Sequence, residues 1–170
     1  MDIESDDALV GIGKIHRVMV WDGQREREKE MLWGLHSRDA DIFQIPLLKS
    51  ETAIIDRPCL LLANAFGLVK RGKTIYAASL ITDEPFFCIA AVWRPAHRLW
   101  PESFAALTVP AYDDLAPHKD RDVAGVRPED CFDWRMGTRP PLDILQPFPK
   151  NSFSIMPPIQ QNFDELLGAA

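Results

Sequence analysis

The sequence predicts a single domain built from many short strands, with helical turns confined to its last third. Three observations carry this. A series of alternating or continuously apolar runs rich in Val, Ile, Phe and Trp is separated by turn residues, the pattern of half-buried and buried strands. Fourteen prolines favour short elements joined by sharp turns over long helices. The chain has 170 residues, 46% of them hydrophobic, enough for one core and too few for a second domain. With no internal repeat and no low-complexity linker, the whole span 1–170 is expected to fold as one unit.

Residues 1–13 are expected to be loosely ordered, because Asp2, Glu4, Asp6 and Asp7 offer little to bury. Ile15 to Trp21 reads as a strand, and Asp22-Gly23 as a hairpin turn into the charged segment Arg25 to Glu30. Those charges have mixed sign and suit a solvated hairpin, after which Met31 to Leu35 enters the core. Pro58 to Phe66 is short and apolar, suited to a buried strand. Lys70, Arg71 and Lys73 surround Gly72 at a basic hairpin tip, a solvated turn or a weak phosphate contact. Thr74 to Leu80 and Phe86 to Trp93 read as two strands joined in a hairpin by Thr82-Asp83-Glu84-Pro85. Pro128 to Met136 reads as a short helix that offers Cys131, Phe132 and Trp134 for packing. Leu142 to Leu145 is a second helical turn, and Ser152 to Ile155 the last strand.

Composition narrows the function classes. A net charge of −6 leaves no global basic footprint for nucleic acid, so any DNA contact must be local. Cys59, Cys88 and Cys131 lie in apolar contexts without a CxxC pair, and the four histidines lack metal-ligand spacing, so no metal or cofactor is expected. Reduced, buried thiols, an acidic start without an apolar leader and the absence of any membrane-length apolar run together predict a cytoplasmic protein without a membrane partner.

The stretch most suggestive of a site runs from Ser103 to Asp130. A strand from Ser103 to Val109 and a second short run from Arg121 to Val126 flank a polar loop carrying Tyr112, Asp113, Asp114, His118, Lys119, Asp120 and Arg121. By pattern alone this is either a solvated loop or a site.

The same stretch resembles the SOS response-associated peptidase (SRAP) family, which crosslinks to abasic sites in single-stranded DNA. The matching pieces are Leu107-Thr108, Leu115-Ala116-Pro117, Asp120-Arg121 and Arg127-Pro128-Glu129-Asp130. Further matches are Trp33-Gly34, Ser50-Glu51-Thr52, Arg57 to Leu62, Phe66 and Gln146-Pro147-Phe148-Pro149, so the resemblance spans roughly Trp21 to Pro157 in the right order. It implies an α+β single domain, its mixed, curled sheet approaching a small barrel with helices packed around it. It also implies DNA-facing roles for Trp33, Lys49, Thr108 and Arg121, with Trp33 either a base-stacking platform or a packed core residue.

The family's reactive positions depart together. Its cysteine after the initiator Met is Asp2, its DNA-binding Asn and Arg are Leu47 and Lys49, and its catalytic Glu is Leu68. Gapless counting puts its His at Lys119, with His118 one residue early. Leucine can neither hydrogen-bond DNA nor act as general acid, and lysine keeps the charge of arginine without its bidentate fork. The resemblance therefore implies a degenerate member without the crosslinking and peptidase activity, binding single-stranded or abasic DNA weakly and without a covalent bond, or binding a protein partner. Two alternatives stand beside it. One is a docking domain without a nucleic-acid role, its groove filled by Leu47 and Leu68. The other is a lyase in which Lys49 or Lys119 forms a Schiff base with an abasic aldehyde and His118 shuttles the proton.

Overall fold

A computed structural model of the chain describes residues 13–36, 44–69, 75–84, 86–117 and 120–156, with the side chains of 44, 68, 69, 75–77 and 156 left aside. Residues 1–12, the basic tip at 70–73, His118, Lys119 and the stretch at 160–162 lie outside the described residues, as does the side chain of Leu68.

Strand β1 (Ile15–Trp21) and β2 (Glu26–Trp33) form an antiparallel hairpin whose register runs from Ile15 opposite Leu32 to Trp21 opposite Glu26. Asp22 makes the turn: its carboxylate accepts the N–H groups of Gln24 and Arg25 and pairs with Arg27, and Gly23 supplies a φ of 97° that a side chain would strain. Chiefly the Arg25 N–H, then Arg27, holds the Asp22 carboxyl well below the usual carboxylate range. The charged half of β2 is largely exposed, whereas Met31 is fully buried, as alternation on a one-sided sheet requires.

The chain continues through β3 (Leu35–His36), β4 (Gln44–Ile45), β5 (Leu47–Lys49), β6 (Pro58–Ala63), β7 (Phe66–Val69), β8 (Ile75–Leu80), β9 (Phe87–Arg94) and β10 (Ser103–Pro110). Strands β11 (Arg121–Val123) and β12 (Gly125–Val126) precede a 3-10 turn at Pro128–Asp130, helix α1 (Cys131–Met136), helix α2 (Pro141–Ile144) and β13 (Phe153–Met156). The main sheet runs β11-β10-β2-β1-β6-β9-β12, and an added β10–β9 pairing closes strands β10, β2, β1, β6 and β9 into a ring. It is mixed, because β10 runs parallel to β2 and β5 and antiparallel to β9 and β11. Val18, Met31, Leu60, Ala90, Phe104 and Leu107, all at most 2% exposed, pack against its two faces.

Two expectations need correction. The domain is more sheet than the α+β description allows, since α1 has six residues and α2 four. Gly137, at a φ of 64°, ends α1; Pro140 and Pro141 start α2, and the next prolines prevent its extension. Leu115-Ala116-Pro117 forms a turn, closed by Leu115 and Ala116 N–H bonds to the Tyr112 carbonyl. Second, β8 and β9 do not form a hairpin. β8 pairs with β7 and β13 in a separate three-stranded sheet, while β9 joins β6, β10 and β12. Apolar pattern marks each strand but does not choose its neighbour, and here an aromatic cluster decides the second sheet. Phe66 meets Phe87 and Phe153 edge-on, and Tyr112 stacks on Phe153 at 4.9 Å.

Candidate functional site

Strand β10 is buried at every position from Ser103 to Val109, with neighbours on both sides, so its side chains are fixed by packing. Thr108 lies opposite Lys49 of β5 on one side and Val123 of β11 on the other; Arg121 lies opposite Pro110. Three of the four residues given DNA-facing roles thus come from separate segments and meet on adjacent strands.

What holds them is Arg121. Its Nε donates to Thr108 Oγ1 at 3.0 Å and one terminal nitrogen to the Thr108 carbonyl at 2.8 Å. The guanidinium also grips Glu51 with both terminal nitrogens, at 3.0 and 2.7 Å, the forked geometry that makes arginine–carboxylate pairs directional. Hydrogen bonding from Arg121, ahead of all other influences, lowers the Glu51 pKa from 4.5 to about 2. Glu51 matches the Ser-Glu-Thr motif, but the sequence alone does not reveal it as the clamp on the arginine. The available signal is its place in the Ser-Glu-Thr match, next to Leu47 and Lys49 where the chain departs from that pattern. Ser50, buried beside it, donates its N–H to the Thr108 carbonyl, closing β5 onto β10.

Lys49 is exposed beside this cluster, as is Leu47, at 45%. Leu47 therefore points outward and does not fill a groove or make a dry pocket around the Lys49 amine. Trp33 sits four residues back along β10, opposite Phe104 and about 13 Å away at strand spacing. One face of its ring stacks on Phe104 at 6.1 Å and its Nε1–H donates to the Pro46 carbonyl at 2.9 Å, so the ring is packed into the fold and half-buried. His118 and Lys119 lie outside the described residues.

Tyr112 and Asp114 of the loop serve the fold. Tyr112 donates its hydroxyl to the Val123 carbonyl and accepts the Gly125 N–H, while its own N–H bonds the Asp122 carboxylate at 3.0 Å. Burial raises the Tyr112 hydroxyl to about 12. Asp114 accepts N–H bonds from Asn151, Ser152 and Phe153, tying the loop to the start of β13; the first of these is the main cause of its lowered pKa. Among the described residues no group of His, Cys, Asp and Glu side chains is arranged to hold a metal. No described helix is long and apolar enough to cross a membrane.

Two cavities lie away from this cluster. One, of about 550 Å³, is walled by Trp21, Trp93, Trp134, Arg57, Arg135 and Arg139. The other, of about 340 Å³, is lined mainly by apolar side chains, together with Glu26, Glu84 and Arg135, and it brings together Cys88 and Cys131, 43 residues apart in sequence.

The fold recurs in solved structures. A protein from Bacteroides thetaiotaomicron superposes with a TM-score of 0.69 at 14% identity, over 90% of this chain and 77% of that one. A phage-related protein from Bordetella bronchiseptica gives 0.70 at 21% identity, over 89% and 81%. At these identities the likeness is one of fold. No family model matches the sequence, and the comparison with curated proteins yields no match.

Proposed function

We propose that the chain is a degenerate SRAP-like domain that binds single-stranded DNA without a covalent bond, at the surface formed by β5, β10 and β11. The supporting observation is the convergence of Lys49, Thr108 and Arg121 on adjacent strands. The motifs of the resemblance also follow the strands in order: Trp33-Gly34 ends β2, Ser50-Glu51-Thr52 follows β5, and Arg57 to Leu62 leads through β6. A phosphate would meet the exposed Lys49 ammonium and compete with Glu51 for the Arg121 fork. Such a site binds weakly and loses affinity steeply with salt. Asp2 supplies no thiol and the leucines at 47 and 68 no general acid, so the family's cysteine-based crosslink to an abasic site is not expected here.

Fluorescence anisotropy with a labelled single-stranded oligonucleotide at low salt tests this. Binding in the tens of micromolar is expected, weakened by Lys49→Ala, equal for intact and abasic strands, and leaving no species that survives denaturing electrophoresis. Absence of binding at that concentration removes the DNA reading. A complex trapped by borohydride and lost in Lys49→Ala or Lys119→Ala would replace it with the lysine lyase.

Protein docking on the same face is the second reading, favoured by the exposed apolar side chains of Leu47 and Ile54, the latter 79% exposed. It predicts that the uncharged variant Leu47→Ser abolishes partner binding and leaves oligonucleotide affinity within twofold.

A further inference from the structure

We propose that Cys88 and Cys131 form a redox-modifiable pair, closing to an intramolecular disulfide when the cavity between β9 and α1 admits a peroxide-class oxidant. This inference is independent of the DNA-binding reading.

Topology brings the two thiols together. Strand β12 pairs with β9 with Val126 opposite Cys88, and the 3-10 turn at Pro128–Asp130 then folds the chain back. Cys131, the first residue of α1, thereby returns toward the Cys88 side chain. Both thiols line the 340 Å³ cavity together with Met19, Phe87 and Arg135. Both are half-buried, whereas Cys59 is fully buried, with its thiol pushed well up by desolvation. A small uncharged oxidant can therefore reach the pair and not Cys59.

The two sulfurs are not equivalent. The Cys131 thiol donates to the Arg127 carbonyl at 3.4 Å, which holds it in the protonated form. The neighbouring Cys131 lowers the Cys88 pKa, and Cys88 raises that of Cys131. Arg135, one helical turn beyond Cys131, favours thiolate at both positions; Glu26, its ion-pair partner, opposes this at Cys88. Cys88 is therefore the attacking sulfur and Cys131 the resolving one.

The Cys88 thiolate attacks one peroxide oxygen; the O–O bond breaks, Cys88 becomes a sulfenic acid, and the departing hydroxide takes a proton to become water. Cys131, giving up its proton, then attacks the Cys88 sulfur; the S–O bond breaks, that hydroxide leaves as a second water, and the S–S bond forms. Two thiols are oxidised by two electrons, and one hydrogen peroxide is reduced to two waters. An external dithiol reverses the step by exchange.

The test is native treatment of the full chain with a small excess of hydrogen peroxide, quenching with N-ethylmaleimide, and non-reducing peptide mapping by mass spectrometry. The expected product is one crosslinked Cys88–Cys131 peptide pair that dithiothreitol restores, with Cys59 remaining a free thiol. In Cys131→Ser, dimedone should label Cys88 as the sulfenic acid. In Cys88→Ser, labelling of Cys131 should fall at least tenfold below that. Full maleimide labelling of both cysteines after peroxide, overoxidation of each without a crosslink, or disulfides formed only between chains would each overturn the proposal.

Discussion

Arg121 illustrates how a residue with the right identity can have its chemistry already engaged. Its fork is occupied by Glu51 and Thr108, so its charge reaches an incoming phosphate only as Glu51 yields. Glu51→Gln removes the negative charge while keeping the shape, and it should raise oligonucleotide affinity by about threefold to tenfold, as one charge contact does when released. An unchanged or lower affinity in the anisotropy titration would show that Arg121 is a structural residue alone. The pair also carries a pH signature. The Glu51 carboxyl titrates lower when folded, about 2 against 4.5, so the stability it contributes is fully present above 4.5 and is lost as the pH falls toward 2. The difference in thermal midpoint between wild type and Glu51→Gln should accordingly shrink across that window. A difference that is constant from pH 5 to about 2 contradicts the assignment.

At the scale of elements, the loop after β10 is an anchored plug. Leu115 is fully buried, and Leu115→Ala should cost about 2–5 kcal/mol in denaturant unfolding. A cost below about 1 kcal/mol would mean that the loop is not part of the core. Gly125 is equally constrained, because a Cβ there would lie 2.7 Å from the Phe148 ring, itself wedged between Tyr112 and Phe153. Gly125→Ala should therefore destabilise by about 1–3 kcal/mol, and a neutral outcome would show that Phe148 moves freely.

These elements also show what the sequence could reveal. The strand from Ile15 to Trp21 and the short helix after Pro128 were legible, because local periodicity and turn chemistry set them. The partner of β8 was not, since that choice rests on Phe66, Phe87 and Phe153, which are distant in sequence. Lys49, Thr108 and Arg121 could be named from motif matches, whereas Glu51 as clamp and Cys88 beside Cys131 depend on strand register and on a turn. Periodicity carries neither.

At the scale of the molecule, a ring of strands brings Lys49, Thr108 and Arg121 together on a chain whose net charge is −6. Long-range attraction therefore cannot assist DNA binding, and the few local contacts must show directly in the salt dependence. Each phosphate neutralised on a single strand contributes about −0.7 to the slope of log affinity against log salt. The most direct measurement is that slope for wild type and for the Lys49→Ala, Arg121→Ala double variant. The account predicts a wild-type slope between about −0.7 and −1.4, for one or two phosphates, and loss of binding in the double variant. A slope near zero, or binding that persists in the double variant, would contradict it.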